Sequence, residues 1–269
     1  SAGIPTYEAK EIGVTQVQRE AFDYDQALIL VANEVDEYFK VVLKAMEFVF
    51  PDLQGRKRNL SYGFVNIKGG KMSSRKGNVV TWDDLYSQVK SQVEKIVKEH
   101  KDIQAEEKES IIDTVSIGAI KFSMLKYSPQ TDITFDIDKS VSLGGDSGPY
   151  LQYTYVRAKS VLRNAAYDYV PQEKVDDLVR SLEKEERAIL RLIEHFESYL
   201  VEAADNFTPN TLAEYLLDLA RAFNLFYQRH KIIKAEESQA EFRLGLTCAV
   251  AVVLKQGLNV LGIEALEKM

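Results

Sequence analysis

The segment GGKMSSRKGNVV, residues 69–80, combines residue types that bind phosphate groups. Glycines let a backbone close over a ligand, lysine and arginine supply positive charge, and hydroxyl groups donate hydrogen bonds to phosphate oxygens. Such a loop would stabilise the charge that develops on a leaving pyrophosphate when an α-phosphate is attacked. It is not a Walker A loop, because the pattern G-x-x-x-x-G-K-[ST] is absent from the sequence. Composition alone also allows a solvated basic turn.

The charge around this segment favours the phosphate-binding interpretation. The whole chain has a formal net charge of −7, but no acidic residue lies between Asp52 and Asp83. The potential in a cleft depends more on nearby charges than on the total, so an acidic protein can still present a basic site. Seven basic residues fall in this interval: Arg56, Lys57, Arg58, Lys68, Lys71, Arg75 and Lys76.

A second pattern, GPYLQYTYVRAKSVLR, suits single-stranded RNA. Tyr150, Tyr153 and Arg157 recur at intervals of three and four residues, which places them on one face of a helix. Aromatic rings and a guanidinium group can stack on unpaired bases, and Lys159 and Arg163 could contact phosphates. Tyrosines at helical spacing also pack in protein cores, so this alternative stays open.

The stripe in LLDLARAFNLFYQRHKI is expected to be mostly core, with RNA-facing residues at its end. Its apolar members are Leu216, Leu219, Ala220, Phe223 and Tyr227. Tyr227, Arg229 and Lys231 are the predicted RNA-facing residues.

The acidic run SLEKEERAILRLIEHFE is predicted to be a solvated helix face. Its apolar residues Ile189, Leu190, Ile193 and Phe196 are expected to face a helical bundle.

The first third of the chain must position the phosphate-binding segment with alternating strands and helices. ALILVAN, residues 27–33, predicts a buried strand, and EVDEYFKVVLKAMEFVF predicts a helix that Pro51 ends. LSYGFVNIKGG then predicts a second strand that brings Tyr62, Phe64 and Ile67 near one another. This region is therefore expected to be α/β.

Beyond Thr81, a predicted N-cap, nearly every pattern is helical. The short run DITFD interrupts the helices, and the change to an all-α pattern near residue 135 predicts two domains, residues 1–135 and 136–269. The predicted helices are Thr81–His100, Glu106–Tyr127, 147–167, 173–205, 208–233 and 237–261.

The composition indicates a soluble globular protein, with 45% hydrophobic and 28% charged residues. The longest apolar stretch is interrupted by Lys255, Gln256 and Asn259, short of the roughly 20 residues that span a bilayer. Cys248 is the sole cysteine, which excludes an intrachain disulfide and a cysteine-based metal cluster. We expect a cytoplasmic protein with no protein-held metal and no membrane contact.

Four segments, in the expected order, resemble the arginyl-tRNA synthetases, a class I family. They are GIPTYEAKEIG, LSYGFVNIKGGKMSSRKGNVV, DITFDIDKSVSLGGDSGPYLQYTYVRAKSVLR and the terminal KQGLNVLGIEALEKM. The resemblance implies a fold class of α/β plus all-α. Residues 1–135 would be the second part of a Rossmann-type catalytic domain, with a KMSKS-type loop and stem helices. Residues 136–269 would be a DALR-type anticodon-binding helical bundle.

The resemblance also implies roles for individual residues. Tyr7 and Glu11 would help to hold the substrate arginine, although a packed aromatic and a solvated charge are the alternatives. Met269 would approach the anticodon loop, or belong to a frayed tail. The KMSKS-type loop would be Lys71, Met72, Ser73, Ser74 and Arg75, with Lys71 on phosphate and Ser74 in place of the usual second lysine.

The sequence lacks H-x-G-H, the HIGH-type motif that this class uses for the triphosphate. Its histidines, His100, His195 and His230, are expected on the surface. We therefore expect a C-terminal fragment that binds tRNA but does not activate arginine alone. The full-length enzyme, expected to be a monomer, would use arginine, ATP and Mg²⁺. The fragment would self-associate through an exposed sheet edge.

Two other functions fit parts of the sequence. One is a non-catalytic synthetase-like RNA-binding module, which Val35 supports because the family often has glutamine there. The other is an unrelated nucleotidyltransferase with a helical tail, which would bind ATP without any dependence on tRNA.

Overall fold

The computed structural model describes residues 3–68, 80–98, 105–167 and 182–269. The predicted phosphate-binding residues Lys71, Met72, Ser73, Ser74 and Arg75 lie outside these ranges, as does His100. The chain divides into two compact units. The first contains Ser1–Val65 and Pro129–Ile133, and the second contains Asn66–Ser128 and Thr134–Met269.

The first unit contains a parallel β-α-β arrangement. Strands β1 (Ala27–Ala32) and β2 (Lys57–Tyr62) pair in parallel, with Ala27 opposite Lys57 and Ala32 opposite Tyr62. Helix α2 (Asp36–Val49) connects them. It buries Phe39, Val42 and Met46 at helical spacing, which confirms the predicted helix. The predicted strand is also present, but the prediction that it is buried is wrong, because Leu28 and Leu30 of β1 are exposed.

Helix α1 (Tyr7–Ala21) precedes β1 and was not predicted from the sequence. Its only buried residue is Thr15, whose hydroxyl donates to the Glu11 carbonyl oxygen at 2.9 Å and contacts the Met46 sulfur at 3.3 Å. A helix that buries one polar residue has no apolar stripe for sequence analysis to detect.

The predicted second strand is in fact two strands that turn at Gly63. β2 ends at Tyr62 and β3 (Val65–Ile67) pairs with β4 (Ile133–Phe135) instead of with β1. The Gly63 amide donates to the Pro129 carbonyl oxygen at 2.8 Å. A Cβ atom at Gly63 would lie 2.3 Å from the Thr131 carbonyl carbon, so no other residue fits without a backbone shift.

The second unit is mainly helical, as predicted. Thr81 caps the first helix, because its hydroxyl accepts from the Asp84 amide at 3.2 Å and Asp84 accepts from the Thr81 amide at 3.1 Å. The helices among its described residues are α3 (Trp82–Lys98), α4 (Ala105–Leu125), α5 (Ile137–Ser140), α6 (Gly148–Asn164), α7 (Lys184–Glu194), α8 (Phe196–Asn206), α9 (Pro209–Arg229) and α10 (Glu237–Val260).

The predicted helix 173–205 differs from the structure where it is described. It ends at Glu194 and restarts at Phe196, with His195 between them at φ −88° and ψ −1°. His195 is exposed, as predicted.

Helix α6 lies at the centre of the bundle and packs against α4, α9 and α10. The Ser147 hydroxyl caps it by accepting from the Tyr150 amide at 3.1 Å. Gly148 permits close approach to α4, since a Cβ atom there would lie 2.4 Å from the Gly118 carbonyl oxygen. One face of α6 can therefore be core while other faces carry polar side chains.

The first turn of α3 carries an aromatic pair. The rings of Trp82 and Tyr86 are nearly parallel, at 14°, with centroids 6.3 Å apart. Trp82 is 54% exposed, and the Tyr86 hydroxyl donates to Asp113 at 2.7 Å. This pair begins the helix that follows the predicted phosphate-binding segment in the sequence.

We predict that Gly63→Ala lowers the free energy of unfolding by about 1–3 kcal/mol, because the new methyl group overlaps the Thr131 backbone. Chemical denaturation monitored by circular dichroism measures this change. Gly13→Ala is the matched control, because no atom lies within 4 Å of a Cβ there. It should raise stability by about 0.5–1 kcal/mol as a glycine replaced within α1. Equal effects of the two substitutions on the free energy of unfolding would contradict the conclusion that the Thr131 backbone requires glycine at position 63.

Candidate nucleic-acid interface

The guanidinium group of Arg157 lies near two tyrosine rings. Its carbon is 4.7 Å from the centroid of Tyr153, one turn earlier on α6, and 5.1 Å from that of Tyr227 on α9. Cation–π attraction holds such groups together, particularly where water is partly excluded. The structure thus brings together three of the residues that the sequence predicted to contact RNA.

Asn224 orients this cluster, and the sequence analysis did not identify it as a site residue. It is 7% exposed, and its amide nitrogen donates to the Tyr150 hydroxyl at 3.0 Å and to the Thr154 hydroxyl at 2.9 Å. Its amide oxygen accepts from Arg157. A buried asparagine needs such partners, and these fix the side chains around it. Its place on the apolar stripe of α9 was a signal that could have identified it.

The cluster borders an open cleft of about 540 Å³ between α6 and the residues that follow α9. Lys231 and Lys234 line the cleft together with Arg157, and no carboxylate is among the described residues that line it. Tyr227 is 42% exposed, which leaves ring surface for a base to stack on. The remaining lining residues are Tyr153, Val156, Ser160, Val161, Asn164, His230, Ile232 and Ile233.

Two glutamates of the predicted solvated run are buried, which corrects that prediction. The Glu185 carboxylate accepts from Arg229 at 2.7 Å and lies 3.1 Å from His230 Nε2. Glu186 accepts from Arg243 at 2.7 Å, and Arg243 also donates to the Lys231 carbonyl oxygen at 2.8 Å. These contacts hold α7, the end of α9 and α10 around the cleft.

The same contacts correct the expectations for two other residues. His230 is half-buried and paired with Glu185, so it is not the free surface residue that was expected. Arg229 faces Glu185 and does not line the cleft. Ile189 is fully buried as predicted, whereas Leu190 is 37% exposed and does not face the bundle as expected.

The hydrogen bond from His230 is the largest influence on Glu185 and lowers its pKa to about 2; burial opposes the shift and Arg229 adds to it. The Glu185 carboxylate is therefore ionised throughout the neutral range and remains an acceptor for Arg229 and His230.

The C-terminal segment is attached to another face of α6. The buried Tyr155 hydroxyl donates to Glu267 at 2.8 Å, and Arg163 donates to the Glu267 carbonyl oxygen at 2.9 Å. Burial is the largest single influence on the pKa of Glu267 and would raise it. The hydrogen bond from Tyr155 and the charges of Lys159 and two other cations together outweigh burial and lower the pKa. Met269 is half-buried and is not among the residues that line the cleft.

In the first unit, Tyr7 and Glu11 lie one helical turn apart on α1. Tyr7 is 78% exposed and is not a packed aromatic, whereas Glu11 is half-buried. Burial, followed by the charges of Glu8 and Glu11, raises the pKa of the Tyr38 hydroxyl on α2. Glu8 and Glu11 thus place negative charge near Tyr38.

The described members of the basic stretch have protein partners. Arg56 donates to the carbonyl oxygens of Tyr24 and Asp25. Lys57 donates to Thr15 at 2.8 Å, and Lys68 pairs with Asp136 at 2.7 Å. These three cations therefore support the fold.

A family model described as the catalytic domain of class I tRNA synthetases (R) matches residues 1–137. The chain belongs to the class I arginyl-tRNA synthetase family. A second family model, the DALR anticodon binding domain, matches residues 151–269. Together these matches confirm the predicted fold class and exclude an unrelated nucleotidyltransferase. Neither tests the domain boundary at residue 135, which stays a prediction.

Arginine–tRNA ligases of two organisms illustrate the relationship within this synthetase family. That of Clostridium perfringens is 32% identical over 270 residues, covering 100% of this chain and 47% of that protein. That of Halobacterium salinarum is 32% identical over 271 residues, with 42% of that protein covered. The chain thus spans about half the length of the curated relatives it matches.

Solved synthetase structures share the fold. The arginyl-tRNA synthetase of Thermus thermophilus gives a TM-score of 0.87 at 28% identity, over 99% of this chain and 50% of that chain. That of Plasmodium falciparum gives 0.78 at 19% identity, over 99% of this chain and 45% of that one.

Two further properties concern the described residues of this synthetase chain. None of its helices there is long and apolar enough to cross a membrane. The same residues contain no group of three or more His, Cys, Asp or Glu placed to hold a metal ion.

We predict that Glu185→Gln removes a pH-dependent contribution to the free energy of unfolding. The folded-state pKa of Glu185 is about 2 and its ordinary value is 4.5, so the carboxylate stabilises the fold above pH 4.5. That contribution is lost as the pH falls from 4.5 towards 2. Urea denaturation at a series of pH values should show a lower free energy of unfolding for the variant than for the wild type at pH 7. This difference should shrink as the pH falls from 4.5 towards 2.

Glu194→Gln is the matched control for this prediction, because Glu194 is exposed on the same helix. The free energy of unfolding of this control variant should depend on pH in the same way as that of the wild type. A constant difference between Glu185→Gln and wild type from pH 7 to pH 2 would show that Glu185 does not contribute through its charge.

Proposed function

We propose that the chain is the tRNA-binding part of an arginine–tRNA ligase and that it reads single-stranded bases of the anticodon loop. The cluster of Arg157, Tyr153 and Tyr227 at the edge of the cleft carries this proposal, because it joins aromatic surface to fixed positive charge. The DALR match over the same residues supports it. RNA loops are recognised by such stacking surfaces, since their bases are unpaired.

Different residues would make different contributions to binding. Tyr227 would stack on a base, a contact worth on the order of 1–3 kcal/mol. Lys231 and Lys234 would contact phosphates, so affinity would fall steeply with salt as counterions are released. Tyr150 would act through Asn224, whose hydrogen bonds fix Arg157. We retain Met269 as a residue that contacts the tRNA, since Glu267 attaches the segment that contains it.

In the complete enzyme, the carboxylate of arginine would attack the α-phosphate of ATP and release pyrophosphate. The terminal ribose hydroxyl of the tRNA would then attack the arginyl-adenylate and release AMP. ATP would enter with Mg²⁺ as a substrate complex. Lys71, Met72, Ser73, Ser74 and Arg75 would stabilise the pyrophosphate charge. Tyr7 and Glu11 would hold the arginine side chain, which the charge near Tyr38 supports.

We further propose that this chain alone does not activate arginine, because its sequence has no H-x-G-H motif. Arginine-dependent exchange of pyrophosphate into ATP should be undetectable with the chain and present with the full-length protein. In the latter, Lys71→Ala should reduce exchange. A full-length protein that binds tRNA without exchange would instead identify the non-catalytic module that Val35 supports.

The remaining expectations concern location and assembly. We propose a cytoplasmic protein, a monomeric full-length enzyme, and domains that meet near residue 135. Leu28 is 41% exposed and Leu30 is 67% exposed on β1. Such apolar exposure supports self-association of the chain through its first unit, which light scattering measures.

We predict that Tyr227→Ala weakens binding of arginine tRNA to the chain by about tenfold or more, because a stacking contact is lost. Arg157→Ala should weaken it as well. Leu225→Ala is the matched control, because Leu225 is 41% exposed on the same helix and does not line the cleft. Fluorescence anisotropy with labelled tRNA measures the affinities. Equal binding of an unrelated tRNA at moderate salt would contradict the anticodon role.

A further inference from the structure

The second unit contains another cavity, of about 280 Å³, that none of the roles above uses. It lies at the C-terminal end of α4, where β4 leads into α5. Its lining is strongly polar: three lysines, three hydroxyl residues, one tyrosine, one carboxylate and one phenylalanine. These are Lys68, Lys126, Lys139, Ser123, Thr134, Ser140, Tyr127, Asp136 and Phe135.

Two of the lysines, Lys126 and Lys139, supply positive charge to the cavity lining. Burial is the main cause that lowers the pKa of Lys126; the charge of Asp146 opposes this shift, and the smaller effect of Lys139 adds to it. Lys126 donates one hydrogen bond, to the Asp146 carbonyl oxygen at 2.9 Å, and keeps two N–H groups for other acceptors. An anion bound in the cavity would be attracted by both ammonium groups.

The carboxylate in the cavity does not oppose such an anion strongly. One Asp136 oxygen accepts from Lys68 at 2.7 Å, and the other accepts from the Lys139 amide at 3.3 Å as the N-cap of α5. The aspartate is therefore neutralised by Lys68 and occupied by the backbone. Lys126 and Lys139 remain as the net charge of the cavity.

Hydroxyl groups complete the donor set. Ser123 is 7% exposed and lines the cavity, as does the exposed Thr134. Ser140 donates to the Ile137 carbonyl oxygen at 2.7 Å, so its hydrogen is already used. Ammonium and hydroxyl donors around one small cavity match the oxygens of a phosphate group.

We propose that this cavity binds a backbone phosphate of the RNA, with Lys126 and Lys139 as its ligands. This rests on the proposed function, because tRNA supplies the phosphate. The contact is separate from the anticodon cleft and would position the RNA at the junction of β4 and α5. It carries no information about base sequence, since phosphates are common to all RNAs.

The test is the salt dependence of tRNA binding to the whole chain. Lys139→Gln should weaken binding and reduce the slope of log affinity against log salt concentration by about 0.7–0.9, the change for one lost phosphate contact. The double variant with Lys126→Gln should reduce it further. Lys95→Gln is the matched control, because Lys95 is exposed on α3 and contacts only Gln92 among the hydrogen bonds described. It should bind like wild type.

The outcomes separate this inference from the proposed function. If Tyr227→Ala weakens binding but Lys139→Gln leaves affinity and slope unchanged, the phosphate site is wrong and the anticodon site stands. Inorganic phosphate and ATP are titrated as free ligands by calorimetry. If inorganic phosphate or ATP binds, and if the double variant of Lys126 and Lys139 loses this binding but keeps its affinity for tRNA, the ligand of the cavity is a free phosphate compound and not RNA. Lys139→Gln keeps the test valid if the double variant does not fold, because Lys139 is exposed.

Discussion

The helical unit depends on the ion pair between Glu186 and Arg243, whose side chains are only 4% and 8% exposed. Neither group could be left alone in this environment, since removal of one partner from a buried pair costs about 3–5 kcal/mol. The pair fixes α7 against α10. Because Arg243 also donates to the Lys231 carbonyl oxygen, the same interaction sets the backbone at the edge of the cleft. The packing of α7 on α10 and the backbone at the edge of the cleft therefore share one buried charge pair.

Helix α6 shows how one element serves three purposes. Its apolar side chains pack in the bundle, Tyr153 and Arg157 face the cleft, and Tyr155 and Arg163 hold the C-terminal segment through Glu267. A period of 3.6 residues distributes neighbouring residues over different faces. Tyr153 and Tyr155 therefore have different roles, although only one residue separates them in sequence.

Local patterns allowed much of this architecture to be predicted. The cap at Thr81, the helix α2 and the buried Ile189 depend on residues close in sequence, and each was predicted correctly. The failures depend on distant partners. Glu186 meets Arg243 57 residues away, and Gly63 is required by the backbone of Thr131. The cluster around Arg157 was predicted in part, because helical spacing places Tyr153 beside Arg157 but does not reveal Asn224.

The stacked pair at the start of α3 has an optical consequence. Trp82 is the single tryptophan of the chain, and it closely follows the segment that was predicted to be a KMSKS-type loop. Indole emission responds to the polarity around the ring, and Trp82 is partly exposed while its other surface meets Tyr86. Trp82 is thus the single indole fluorophore of the chain, and a change in the surroundings of the first turn of α3 has a spectroscopic signal without an added label.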